Sequence, residues 1–205
     1  MTVTTYDFPD AVPTGTGLFV LRFNSQLDTN DYSGHEFVVD NAGERWMVRR
    51  HWPVLFAEER DELYKLLARL RGPVNKVRMK DPKFTAQKGT WAGSPVVDGG
   101  GQYGLYVDVR NFGPSQMVAA ALDRFMIGGQ LLEVRDDVTS NASGKARIYL
   151  NNELRNIPAN GTTLISDVNG LSSTCRWTNP KQVEALAGNK RIYRDVTLDF
   201  MESFT

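Results

Sequence analysis

The residues able to do chemistry are few and scattered along the chain. His35-Glu36 and His51 carry its two imidazoles. Neither lies near a serine or cysteine in the strand-turn-helix setting that exposes a nucleophile, so both read as satisfied or solvent-facing histidines. Cys175 is followed by Arg176, a neighbour able to lower a thiol pKa. In the alternating segment Ser173 to Thr178, the same cysteine also reads as a small strand residue. One cysteine and two histidines cannot build a Cys/His zinc cage, and no internal disulfide can form. Gly99-Gly100-Gly101-Gln102-Tyr103-Gly104 satisfies G-x-G-x-x-G, but a dinucleotide fingerprint needs a helix after it and here a strand follows, so the segment reads as a loop. Asp28 to Gly34 begins like a calcium loop. Its glycine comes one place late and no glutamate closes it, which leaves a polar turn. No catalytic residue, cofactor or metal is expected.

Charge supplies the next candidate. Leu66 to Lys80 contains Arg69, Arg71, Lys76, Arg78 and Lys80 and no acidic residue, in a chain of formal net charge +0. Overall balance argues against a free nucleic-acid binder, because phosphate affinity comes from an excess of cations. The stretch divides in two: Leu66 to Arg71 ends a helix, Gly72-Pro73 stops it, and Val74 to Lys80 reads as a strand. On that strand Asn75, Val77 and Met79 share one face, and Lys76, Arg78 and Lys80 the other. Such alternation is ordinarily the solvated side of a sheet, and it gains meaning when copies are arrayed. The start of the chain lacks a basic then apolar leader and no stretch is long enough to cross a bilayer, so a soluble, unprocessed, reduced chain is expected.

These residues must be positioned by short strands, since 18 glycines, 9 prolines and 21 aromatics favour strands and turns over long helices. Residues 1 to 16 read as an arm ordered only by a neighbour. Gly17 to Phe23 is a strand, and Phe37-Val38-Val39 and Arg45 to Arg49 flank a hairpin loop at Asp40 to Glu44. One helix is predicted from Ala57 to Leu70, with Phe56, Leu63, Leu67 and Leu70 as its apolar stripe, acidic residues at its start, and Asp61 and Lys65 as an i,i+4 pair. Trp46, Trp52, Phe56 and Trp177 are the expected core anchors of the first domain, with a subunit interface as the alternative reading. Further strands are expected at Tyr103 to Val109, Arg124 to Ile127, Gln130 to Asp136, Lys145 to Leu150, Thr162 to Val168, Ser173 to Thr178 and Ile192 to Phe200. The alternating last strand pairs with early ones. The expected fold class is therefore mainly β (α+β): a discontinuous first domain, residues 1–88 plus 171–205, carrying an inserted OB-like β-barrel, residues 89–170.

The order of features resembles that of distal tail proteins of long-tailed bacteriophages. The likeness rests on Trp46-Met47-Val48, then Trp52-Pro53-Val54-Leu55-Phe56-Ala57-Glu58-Glu59, then Leu70 to Met79. Beyond these it continues in Gly101-Gln102-Tyr103-Gly104, Ile127-Gly128-Gly129-Gln130-Leu131-Leu132-Glu133-Val134, Asp137 to Ala146, Glu153-Leu154-Arg155 and the closing Val196 to Glu202. One departure is that the family's Leu-x-x-Gly-Asp turn reads Ala121-Leu122-Asp123 here, keeping the Asp without the Gly.

The resemblance implies a tail-tube-like first domain closing into a hexameric ring, an outward OB-like insertion, and no enzyme activity. It implies a virion protein made in the host cytoplasm, with the tail tube protein, the tail hub and other tail-tip or fibre proteins as partners, and no membrane or sequence-specific nucleic acid among them. Lys76, Arg78 and Lys80 would face the ring lumen or the next ring. The alternative reading is an OB-type single-stranded nucleic-acid or carbohydrate binding module, with Tyr103, Tyr106, Arg110 and Phe112 as its contacts.

Overall fold

A computed structural model describes residues 2 to 204; Met1, at the tip of the expected arm, and Thr205 lie outside the described residues. The chain is mainly β. Its strands are β1 (Thr5–Asp7), β2 (Thr16–Arg22), β3 (Ser25–Thr29), β4 (Glu36–Asp40), β5 (Arg45–Phe56), then, after helix α1 (Ala57–Leu70), β6 (Lys76–Met79). There follow β7 (Gly93–Val97), β8 (Gly104–Phe112), β9 (Met117–Ala119), β10 (Arg124–Ile127), β11 (Gln130–Glu133), β12 (Val138–Thr139), β13 (Ala146–Leu154), β14 (Ser173–Trp177) and β15 (Ile192–Glu202). Two 3-10 turns, Val168–Gly170 and Pro180–Leu186, flank β14.

The main sheet has six strands in the order β1-β6-β14-β15-β5-β2. Alternation along β5 and β15 sends Trp46, Val48, Trp52, Val196, Leu198 and Phe200 into one buried cluster, where they meet Leu63, Leu66, Leu67 and Leu70 of α1. Burying a leucine is worth roughly 1.5–3 kcal/mol, whereas a surface helix pair contributes about 0.3 kcal/mol. Packing therefore holds the helix in place. Its end is a left-handed Arg71 (φ 52) whose N–H donates to the Leu67 carbonyl, ahead of Gly72 (φ 67).

The last strand pairs with β5 over Ile192 to Met201, as its alternation requires. Four local expectations are corrected. The arm is held by its own chain, since β1 lies parallel to β6 and the Pro13 carbonyl accepts from Trp52 Nε1. Phe37-Val38-Val39 pairs with β3 instead of β5, because β5 is already occupied by β2 on one side and β15 on the other. Phe56 sits at the helix start and is exposed, its N–H donating to Glu59. Lys65 pairs with Glu62, and Asp61 with Arg60.

A second buried cluster contains Trp91, Val97, Val107, Val109, Phe125, Leu132, Ile148 and Leu150. Its strands form three small sheets, β13-β8-β7, β10-β11 and β12-β9, and this pairing makes no closed barrel among the described residues. Single bridges join the pieces: Val134 to Leu150, Val96 to Thr163 and Met126 to Ile165. The expected strand at Thr162 to Val168 is thus reduced to two bridge points before a 3-10 turn. Side-chain amides replace missing ladder bonds. Buried Asn152 accepts from the Glu133 N–H and donates to the Leu131 carbonyl.

Where the chain passes from the first cluster to the second, the fully buried Asp123 carboxylate collects four donors. They are the N–H groups of Lys88 (2.7 Å), Gly89 (2.8 Å) and Ala120 (3.0 Å), and Trp91 Nε1 (2.9 Å). Leu122, at the position where the resemblance expects glycine, nonetheless adopts φ 71. Left-handed backbone costs a residue with a Cβ about 1–2 kcal/mol, and Leu122 is exposed, so Leu122→Gly should raise the unfolding free energy by up to about 1 kcal/mol. Asp123→Asn turns an amide N–H₂ toward those donors and should cost on the order of 3 kcal/mol or more. Denaturant melts of the two variants against the wild type measure both effects.

Candidate functional site

The cations Lys76, Arg78, Lys80 and Arg176 lie at the β1 end of the main sheet. β6 is an interior strand, and its antiparallel register with β14, Cys175 opposite Val77, sets Arg176 beside Lys76. Lys76 is therefore buried, 7% exposed, instead of solvated as its alternation predicts. The cause is coverage by β1 on one side and β14 on the other. Burial and, after it, the Arg176 charge push the Lys76 ammonium below its ordinary pKa. Arg78 is exposed and meets Asp7 at 2.9 Å, and Lys80 is exposed one residue past the strand. Arg176 donates to the carbonyls of Pro73 and Val74. Among the described residues, Lys76, Lys80 and Arg176 have no ion pair.

A cleft of about 690 Å³ opens beside this edge. Phe8, Val12, Phe84 and Leu171 line it with apolar surface, and Arg50, Arg78, Lys80 and Arg124 together with Asp7, Asp10 and Asp81 bring charge of both signs to it. Arg50 is buried and donates to the Lys80 carbonyl. Arg124 bonds Asp81 at 2.6 Å and Glu133 at 3.2 Å and stacks over Trp46 at 4.6 Å.

At the opposite edge of the sheet, β3 and β4 form a two-stranded hairpin in which every residue of both strands is exposed. Leu27, Phe37, Val38 and Val39 are among them. The segment Asp28 to Gly34, which begins like a calcium loop, is split between the end of β3 and the tip, Asn30 to His35. There Asn30 Oδ1 accepts from the Tyr32 and Ser33 N–H groups, an Asx turn.

The four residues expected to bind on the inserted unit are not brought together on one open face. Tyr103 and Tyr106 are exposed. Arg110 is tied to Asp98 at 2.9 Å and Asn160 at 2.8 Å, and Lys145 and Arg110 hold the Asp98 carboxyl below its ordinary value. Phe112 is core, 6.2 Å from Trp91, because left-handed Asn111 (φ 69) shifts the alternation of β8 by one place. What the sequence reading missed is Tyr149, the cross-strand neighbour of Tyr106. Arg147 lies over Tyr106 at 4.3 Å and Arg135 over Tyr149 at 4.9 Å. The missed signal is the alternation Arg147-x-Tyr149 in β13.

His51 meets the Thr197 hydroxyl at 3.0 Å, and His35 is exposed on the hairpin tip. Cys175 is not activated by Arg176, since burial pushes its thiol up to about 12. Among the described residues no cluster of three His, Cys, Asp or Glu could hold a metal, and no helix is long and apolar enough to cross a membrane.

Near the C-terminus, buried Glu202 accepts from the Trp46 N–H at 3.1 Å and faces Arg155 at 3.5 Å. Desolvation is the larger influence and raises its carboxyl above the ordinary range. The folded state therefore holds that proton more tightly than the unfolded chain. This group's contribution favours folding at low pH and declines as pH rises through the folded value. Glu202→Gln does not titrate, so the stability difference should shift toward the wild type as pH falls from about 7 to about 4.5. Urea melts at both pH values check it.

Compared with known proteins, the chain matches no family model and no curated sequence.

Proposed function

We propose that this chain is a structural protein of a bacteriophage tail tip, a ring-forming subunit that joins the tail tube to the distal tip or baseplate and carries an attachment platform. The observation that carries the reading is the main sheet with its single helix. It is assembled from both ends of the chain, bears an exposed apolar hairpin at one edge, and is interrupted in sequence by a second β unit with its own core. A hairpin with no face covered is marginal alone, and an exposed apolar surface of this kind serves a partner. A heterologous contact that closes by rotation makes a ring.

On this reading residues 1–88 plus 171–205 are the ring-forming domain and residues 89–170 the inserted OB-like domain. The bridge Val134 to Leu150, and the segment that bridges Val96 at Thr163 and Met126 at Ile165, support a barrel-like course for the insertion. The reading is non-catalytic and needs no cofactor. Its partners are further copies, most simply six, together with the tail tube, the tail hub and other tip or fibre proteins in the virion.

A second reading, an OB-type single-strand or carbohydrate binder, is favoured by one observation, the exposed Tyr106 and Tyr149 pair under two guanidinium groups. The neutralisation of Arg110 and Arg147 by Asp98 and Asp108 weighs against it. Electron microscopy of isolated tails, with the protein located by antibody label, should show six-fold rings at the tube end. Purified virions without the protein would end the tail-tip reading, and single-strand binding that falls steeply with salt would favour the second.

A further inference from the structure

We propose that the acidic β3–β4 hairpin of one copy docks on the cationic β1–β6 edge of a second copy of this chain. This rests on the ring reading above and names the two surfaces that would make it.

The first observation is segregation of charge. Between Arg22 and Arg45 the chain has no lysine or arginine, while the hairpin and its tip carry Asp28, Asp31, Glu36 and Asp40. At the other edge, Lys76, Lys80 and Arg176 have no ion pair among the described residues, and Lys76 is more than nine-tenths buried with a like charge beside it. Opposed like charges across a ladder are unfavourable. Lys80 is the exposed member of the three, and an incoming carboxylate gains a partner there.

The second observation is the apolar content of both surfaces. Register places Leu27 opposite Val38, and Phe37 and Val39 on the other face opposite Asp28 and Gln26. Each face of the hairpin thus mixes apolar and acidic side chains. The receiving edge also mixes apolar and charged side chains, with Phe8 and Phe84 in the cleft and Arg50, Arg78, Lys80 and Arg124 outnumbering Asp7, Asp10 and Asp81 around it.

The third is placement. The hairpin leaves from β2 and returns to β5, at one end of the strand order, and β1 and β6 are at the other. Five strand spacings of about 4.8 Å separate the two edges by roughly 24 Å. A contact between opposite edges cannot satisfy itself within one chain. It is head-to-tail and continues from copy to copy until it closes.

The test uses the full chain in three variants: Asp28→Lys with Glu36→Lys and Asp40→Lys; Arg78→Glu with Lys80→Glu; and all five changes combined. Circular dichroism confirms folding, and sedimentation velocity at low and high salt reads association. The expected result is wild-type association that weakens with salt, about tenfold or more weaker self-association in each single-surface variant, and recovery in the combined variant. Wild-type association in both single-surface variants overturns the pairing. If rings are still seen in tails, that outcome leaves the ring reading standing with its contact elsewhere. A wild-type chain that stays monomeric at low salt also overturns the pairing, and the ring reading falls with it only if tails lack rings.

Discussion

Two neighbouring residues of opposite charge hold the molecule together where its two hydrophobic clusters meet. Asp123 turns inward to the second cluster and takes four N–H donors from the segment 88–91 and Ala120. Arg124 turns the other way, bonds Asp81 and Glu133, and stacks over Phe19, Trp46 and Phe84 at the edge of the first cluster. Gln87 closes the joint by bonding both backbone polar groups of Arg124 and the Ser166 carbonyl. A buried charge is tolerable only when paired and hydrogen-bonded. Each of the two meets that condition with groups on the opposite side of the strand, so the path of the chain between clusters has little freedom left.

The same logic runs through the second cluster, where short strands leave many backbone groups without a ladder partner. Asn152 substitutes for missing bonds between β11 and β13. Gln130 does so again, donating to the Glu153 carbonyl and accepting from the N–H groups of Arg155 and Asn156. In the glycine loop between β7 and β8, Gln102 donates to the carbonyls of Asp98, Gly99 and Asp108 and accepts from the Asp108 N–H. Two N–H groups of that loop are taken as well, Gly99 by Asn160 Oδ1 and Gly101 by the Pro158 carbonyl, where a phosphate-binding loop would keep them free.

Local periodicity made much of this legible in advance. Helix α1 has the expected bounds, β10 matches Arg124 to Ile127, and the buried side of β15 follows from Val196, Leu198 and Phe200. Pairing was less legible, because it depends on which edge is still open. Val38 alternates as well with one neighbour as with another, and only the occupation of β5 on both sides sends it to Leu27. The fate of Lys76 was hidden for the same reason: alternation gives the face, and the later arrival of β1 and β14 decides whether that face is wet. Phe112 was misread through a single left-handed residue, Asn111, that no apolar pattern announces.

Zero net charge conceals this arrangement. Averaged over the chain the charges cancel, yet a hairpin with acidic residues and no lysine or arginine stands at one edge of the sheet, and Lys76, Lys80 and Arg176, without an ion pair among the described residues, at the other. Uniform mixing would keep separate copies apart by giving each surface no preferred partner. On the proposed pairing, segregation along the strand order would give every copy a donor edge and an acceptor edge, and the apolar side chains among the charges would supply the burial that screened surface charges alone cannot. A strand edge and an exposed hairpin are both hazards for a solitary chain. In an assembly of copies the two hazards have complementary charge and opposite positions, so each can be the partner the other lacks.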